Sequence, residues 1–301
     1  MKQSRASLYF QVVFATAVWG AAYPFTKHLV GEISALSIMF LRAVIGLPIM
    51  LMLARPRFAR ADLAFSALWR LAVMSVLGVS AQQFLQAYAL IYTPATNAGW
   101  LIATTPLMVA ALALLAGERL SLPKAAAFAA GTAGTLLVVL SGGGRLGLPS
   151  TRGDLVFLTT CLAWAFYVLC TRKWLTQWPA AKVTTATMLA AFATVLPLWL
   201  LSGGPAELGR LTARGWADLA YLGVLSSGLA YLFWNNAVDG LGAVKTSYFI
   251  YIEPFATLLC AYLLLGEKAG PAAYAGGLLI LGGVYLLGLK RGRALPEGNH
   301  A

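Results

Sequence analysis

Ten stretches of this chain, each 17 to 22 residues long, are apolar and almost free of charge: 8–26, 33–54, 71–92, 95–116, 125–141, 155–171, 183–202, 219–238, 246–265 and 271–289. About 17–25 residues of helix cross the hydrocarbon core of a bilayer. Lipid offers no partner to backbone N–H and C=O groups, so runs of this length can only be helices there. Composition agrees. Only 11% of the residues are charged, against about 25% in a soluble domain. The expected fold class is an all-α integral membrane protein with ten transmembrane helices and the lipid bilayer as its surroundings. The net charge of +12 does not indicate a nucleic acid partner, because the cations lie between apolar blocks and not together on one watery face.

Punctuation falls at the segment ends. Arg55-Pro56-Arg57 follows segment 2, Thr93-Pro94 divides segments 3 and 4, Gly142-Gly143-Gly144 closes segment 5 and Gly270-Pro271 opens segment 10. Proline near a helix start and glycine just past a helix end are each at their cheapest. Lys2 and Arg5 precede an apolar run that continues to Thr26, which reads as an uncleaved first helix and not as a leader peptide. With the N-terminus in the cytoplasm, the near side carries 15 Lys and Arg, the far side 6, and Arg42 inside segment 2 completes the 22. That asymmetry predicts a multi-pass protein of the cell inner membrane with both termini cytoplasmic.

The chain repeats itself. Pro106 precedes Gly117-Glu118-Arg119 and Pro123, and Pro254 precedes Gly266-Glu267-Lys268 and Pro271, the two prolines standing 17 positions apart in each case. Trp19 with Thr26-Lys27 is echoed by Trp164 with Thr171-Arg172, and Pro48 by Pro197. The organisation expected is therefore a first repeat over 1–144, a linker over 145–154, a second repeat over 155–290 and a cytoplasmic tail over 291–301. Five helices per half is an odd number, so the second half must run inverted. Two inverted five-helix repeats are a signature of secondary transporters, whose substrate site lies near the midplane where the halves meet.

These residues, together with Arg42 in segment 2 and Glu253-Pro254 in segment 9, resemble the EamA-type drug/metabolite transporters over essentially the whole chain. The resemblance implies a ten-helix fold of two inverted repeats. It also implies export of small metabolites, commonly amino acids, as in YddG-like exporters of aromatic amino acids.

Ionisable groups inside a membrane are costly and need a reason. Glu253 lies near the middle of segment 9, where its repeat counterpart is Thr105, and Arg42 lies in segment 2, where its counterpart is Ala191. Glu253 reads either as a proton-coupling or substrate-ammonium site, or as a structural carboxylate paired with Arg42 or held by hydroxyls near Pro254. Arg42 reads as a structural or coupling charge near enough to the membrane edge to snorkel. Gln83 and Gln86 share one helix face and map onto Tyr231 and Trp234 of the other half; Trp100 maps onto Tyr248. With Trp19, Trp164, Thr104 and Asn235 these form the candidate substrate-binding set. The aromatic members offer flat apolar surfaces and the amides hydrogen bonds for an amphiphilic molecule, and simple packing is the alternative for each. Trp69, Trp174, Trp178, Trp199 and Trp216 fit an interfacial belt. Glu118 and Glu267 read as turn residues that pair with a neighbouring cation or with helix N-terminal amides.

Cys161, Cys170 and Cys260 lack metal spacing, and His28 and His300 are placed in a connection and the tail, so no metal centre, catalytic triad or cofactor is expected. No Walker loop occurs. The function expected is secondary transport, exporting small amphiphilic metabolites, foremost hydrophobic or aromatic amino acids, by alternating access. A proton-coupled exporter of drugs or organic cations is the alternative, and a channel or an intramembrane enzyme a distant one. Proton-coupled and facilitative transport, and monomer and homodimer, all stay open. The Gly-rich segments 5 and 10 allow either bundle packing or a dimer seam.

Overall fold

The computed structural model describes residues 4–55, 65–115, 122–141, 148–174, 178–241, 246 and 248–288. Gly117-Glu118-Arg119, Gly142-Gly143-Gly144 and the 291–301 tail lie outside the described residues. Helices α1 (Arg5–Leu29) and α2 (Ala35–Ala54) open the chain, followed by α3 (Phe65–Ser75), a π-helical stretch Val76–Ala81, α4 (Gln82–Tyr92), α5 (Ala95–Ile102), α6 (Thr105–Leu115) and α7 (Leu122–Ser141). The second half holds α8 (Leu148–Trp174), α9 (Ala180–Leu201), α10 (Gly204–Glu207) and α11 (Ala213–Ala220). A π-helical stretch Tyr221–Leu229, α12 (Ala230–Leu241), a 3-10 turn Tyr248–Ile252, α13 (Glu253–Leu265) and α14 (Pro271–Gly288) complete it. Each apolar segment read from the sequence is largely helical over its described residues, segment 95–116 being interrupted at Ala103–Thr104. Among the described residues, five helices are by length and composition able to cross a membrane: Arg5–Leu29, Ala35–Leu53, Ala67–Tyr92, Ala181–Leu201 and Ala213–Leu241.

The surface is apolar and the interior holds hydroxyls and amides. Phe10, Met52, Phe65, Leu201, Leu263 and Leu278 are exposed, while Thr16, Ser75, Thr105, Thr187, Ser226 and Asn235 are buried. A protein in water has no reason to display such large side chains all round; one surrounded by lipid does. The buried hydroxyls are satisfied locally, as where Thr16, Thr26 and Thr187 donate to carbonyls three or four residues back.

Packing between the halves is reciprocal. Helix α1 lies against α12 and α13, and α8 lies against α4 and α6. Helix α2 packs on the Tyr221–Leu229 stretch, and α9 on α3 and the Val76–Ala81 stretch. Each π-helical stretch therefore sits in the same part of its half, where an extra residue per turn rotates the side chains that follow. Helices α7 and α14 pack on each other most extensively. A Cβ at Gly134 would stand 2.4 Å from the Gly276 carbonyl oxygen, and one at Gly276 2.6 Å from the Gly134 oxygen. Gly134 and Gly276 thus serve contact within the bundle, one of the two roles the sequence left open for the Gly-rich segments.

Two boundaries differ from expectation. Residues 148–154, read as linker, form the first turns of α8; Pro149 costs little there because first-turn N–H groups have no intrahelical partner, and Asp154 is held by groups described below. His28, read as part of a connection, lies in the last turn of α1.

Candidate functional site

A narrow cleft opens between the halves. Its walls are Met39, Phe40, Ala43 and Leu47 of α2, Val79 and Gln83 around the first π-helical stretch, Met188, Ala191, Phe192 and Val195 of α9, and Ser227 of the second π-helical stretch. The lining is apolar with few polar groups, the composition of a ligand site. Phe40 stacks on Phe192 (5.5 Å) and on Trp199 (4.2 Å), forming an aromatic wall. Trp199, expected in the interfacial belt, is buried, and its Nε1 donates to Ser37 Oγ at 2.8 Å.

Arg42 stands beside the cleft. It does not snorkel: its side chain is buried, Nε donating to Ser227 Oγ at 2.9 Å and Nη2 to Ser226 Oγ at 3.0 Å. The second π-helical stretch presents both hydroxyls to it, and Gly46 and Gly223 let the backbones close in. A Cβ at Gly46 would fall 2.6 Å from that of Ser227, and one at Gly223 2.4 Å from that of Ile45. The pairing with Glu253, one of the alternatives read from the sequence, is not among the ion pairs of the described residues. Glu253 Oε2 instead accepts from the Tyr23 hydroxyl at 3.3 Å, and both Arg42 and Glu253 are near enough to Tyr23 and Tyr231 to interact electrostatically.

Glu253 is not at the middle of a helix but at the first residue of α13, after the 3-10 turn. Its counterpart Thr105 is the first residue of α6, after a break at Ala103–Thr104. Both halves thus carry a discontinuous helix at the same place, and an acid replaces a hydroxyl in one of them. The N-terminus of α13 favours a negative group there.

Of the remaining candidates, Gln83 lines the cleft and lies within hydrogen-bonding reach of Tyr231. Trp19 packs edge-on to Tyr231 (5.0 Å) and beside Trp234 (5.2 Å), its Nε1 donating to the Ser226 carbonyl at 3.0 Å. Gln86 is half-buried. Trp164 stacks on Tyr167 at 5.0 Å. Asn235 accepts from Thr184 at 3.3 Å, and its Nδ2 is buried without a partner. Trp100 and Thr104 are placed elsewhere: Trp100 is wedged among Phe255, Tyr274 and Gly277, and the Thr104 hydroxyl donates to the Leu101 carbonyl. The side chain of Tyr248 lies outside the described residues.

One end of the bundle is stitched across the halves. His28 Nδ1 meets Asp218 at 2.6 Å, and Glu32 accepts from the Thr212 amide (2.9 Å) and hydroxyl (2.7 Å). Glu207 accepts from the Ser34 amide at 2.8 Å, and Glu267, as expected of a turn acid, from the Thr96 amide at 3.2 Å. Buried Asp154 accepts from Thr93 Oγ1 and, at 3.0 Å, from Asn97. Burial pushes the Glu32 carboxyl up, but the Thr212 hydrogen bonds outweigh it and, with His28 and Arg214 near, hold it below the usual carboxylate range. Burial likewise opposes ionisation of Glu207, and bonds from Ser37 and Ser34 prevail. Sequence reasoning missed Asp154, Asp218 and Tyr23. Tyr23, four residues after Trp19 on one helix face, had a signal that could be read.

The model of the EamA-like transporter family matches residues 6–140 and 151–289. An uncharacterized transporter of Archaeoglobus fulgidus is 28% identical over 279 residues, covering 91% of this chain and 94% of that one. A probable terminal-alkyne amino-acid exporter of Streptantibioticus cattleyicolor is 27% identical over 305 residues, covering 98% and 99% respectively. A solved crystal structure with 21% identity superposes with a TM-score of 0.63, covering 97% of this chain and all of its own, and so shares the fold.

Proposed function

The chain belongs to the EamA-like transporter family, and from that premise we propose that it is a secondary transporter exporting small amphiphilic metabolites, foremost hydrophobic amino acids. In this reading ten helices cross the inner membrane as two inverted five-helix repeats, both termini are cytoplasmic, and the halves rock about the cleft in alternating access. The observation that carries it is the cleft itself. It lies where α2 and the Tyr221–Leu229 stretch meet α9 and the Val76–Ala81 stretch, so each half contributes to both walls. Its apolar lining with Gln83 and Ser227 suits a molecule with an apolar body and one polar end. The amino-acid assignment draws support from the exporter of Streptantibioticus cattleyicolor.

The test is counterflow in proteoliposomes of purified protein, with a panel of amino acids and organic cations under imposed pH gradients. Saturable exchange of hydrophobic amino acids is the expected result. Non-saturating flux would indicate a channel, and flux restricted to organic cations the drug-exporter alternative.

A further inference from the structure

Arg42 is a buried cation with no carboxylate paired to it among the described residues. Its described partners are the hydroxyls of Ser226 and Ser227, both neutral, and no carboxylate among the described residues stands at ion-pair distance from it. Two of its nitrogens are held by those hydroxyls, and the third, Nη1, makes no hydrogen bond among the described residues. An uncompensated charge in a low-dielectric interior is strongly unfavourable and is retained when it serves a ligand or a partner. Ser227 shows where that partner would stand, since it both holds Arg42 Nε and lines the cleft. Ala43, the next residue of α2, lines the cleft as well. The guanidinium is also held rigidly. Its two hydroxyl partners come from one π-helical stretch, against which Gly46 and Gly223 bring α2 into backbone contact. A fixed planar fork with an unused donor matches a carboxylate.

We propose that Arg42 anchors the carboxylate of the transported molecule. The substrate class is then small monocarboxylates with an apolar body: the carboxylate on Arg42, with Tyr231 and Gln83 beside it, and the body against Met39, Phe40 and Phe192. This deepens the transport reading and rests on it for the word substrate, but the binding chemistry is tested without transport.

The probes are L-phenylalanine, 3-phenylpropanoate, which lacks the ammonium, and phenethylamine, which lacks the carboxylate. Their equilibrium binding is measured to the purified full-length protein in nanodiscs. The wild type should bind both carboxylates at least about tenfold more tightly than the amine, the scale of a charge-assisted hydrogen bond. Arg42→Gln should weaken both carboxylates about tenfold or more and erase the preference, with Arg42→Lys between the two. Phenethylamine binding as well as phenylalanine, or a preference that survives Arg42→Gln, overturns the proposal, as does a wild-type protein that binds neither carboxylate. Should Arg42→Gln fail to fold, the wild-type ligand series decides alone. Counterflow separates this idea from the broader one. Carboxylate-selective binding without flux removes transport and leaves the anchor; flux of amines without carboxylate selectivity removes the anchor and leaves transport.

Discussion

The Tyr23 hydroxyl on α1 donates to Glu253 Oε2 at the first residue of α13, 3.3 Å away and 230 positions along the chain. The bond joins a helix of one half to the broken helix of the other. Around it the Thr257 hydroxyl donates to the carbonyls of Gly20 and Glu253, each at 2.8 Å. Among the described residues of the two discontinuous helices, the acid is the one point where the halves differ in charge.

If that carboxyl exchanges a proton during the transport cycle, Glu253→Gln removes the dependence of flux on an imposed pH gradient while leaving counterflow, which needs no net proton movement. Tyr23→Phe removes one neutral donor and should cost only about 0.5–1.5 kcal/mol of stability, with the pH dependence kept. Wild-type flux indifferent to the gradient would rule out proton coupling and leave a facilitative carrier.

The α7–α14 seam can be probed at two glycines of one helix. A methyl at Gly276 would stand 2.6 Å from the Gly134 carbonyl oxygen, whereas a methyl at Gly282 meets nothing within 4 Å. Gly276→Ala should therefore lose about 1–3 kcal/mol through overpacking. Gly282→Ala should be neutral or gain up to about 1 kcal/mol, since alanine is the better helix former. Thermal unfolding in detergent, followed by tryptophan fluorescence, measures both. Equal effects would mean that the close approach is not maintained.

Asp154 is fully buried and accepts from Thr93 and Asn97 across the two halves. Asp154→Ala leaves both donors without an acceptor, at a cost of about 2–4 kcal/mol. Asp154→Asn keeps one acceptor and should lose less. An Asp154→Ala protein as stable as the wild type would show that water replaces the carboxylate.

The helices, the repeat and Glu253 as an asymmetric acid were legible because they depend on local properties: run length, spacing and the rarity of charge in apolar segments. What escaped is set by rotation. Trp100 was expected toward a cavity with Thr104, but the chain turns at Ala103–Thr104 and aims the indole at Gly277, whose missing side chain makes room for it. Trp199 looked interfacial by its place near a helix end, yet it bonds Ser37 and stacks on Phe40. Arg42 met Ser226 and Ser227, and not Glu253, because a π-helical stretch turns those hydroxyls inward. No residue pattern announces a π turn. Met39, Phe192 and Met188 of the cleft are indistinguishable in sequence from apolar residues that face lipid.

The carboxylates at the stitched end give a dependence of stability on pH whose sign can be worked out. Glu32 and Glu207 are both held below their ordinary value in the folded protein. A group with a depressed folded pKa stabilises above its unfolded pKa, about 4.3 for Glu, and loses that contribution as pH falls through the folded value. Glu207→Gln should therefore lower the unfolding temperature at pH 7, because Glu207 supplies a charged acceptor to the Ser34 amide at the start of α2. The gap between variant and wild type should hold down to about pH 5 and close below the ordinary Glu range, where the wild-type carboxyl is protonated too. Both groups are only partly buried and within reach of solvent, so the gap is small and shrinks with added salt. A gap that widened on acidification would mean that Glu207 is stabilised in its protonated form, contrary to the hydrogen bonds it receives from Ser34 and Ser37.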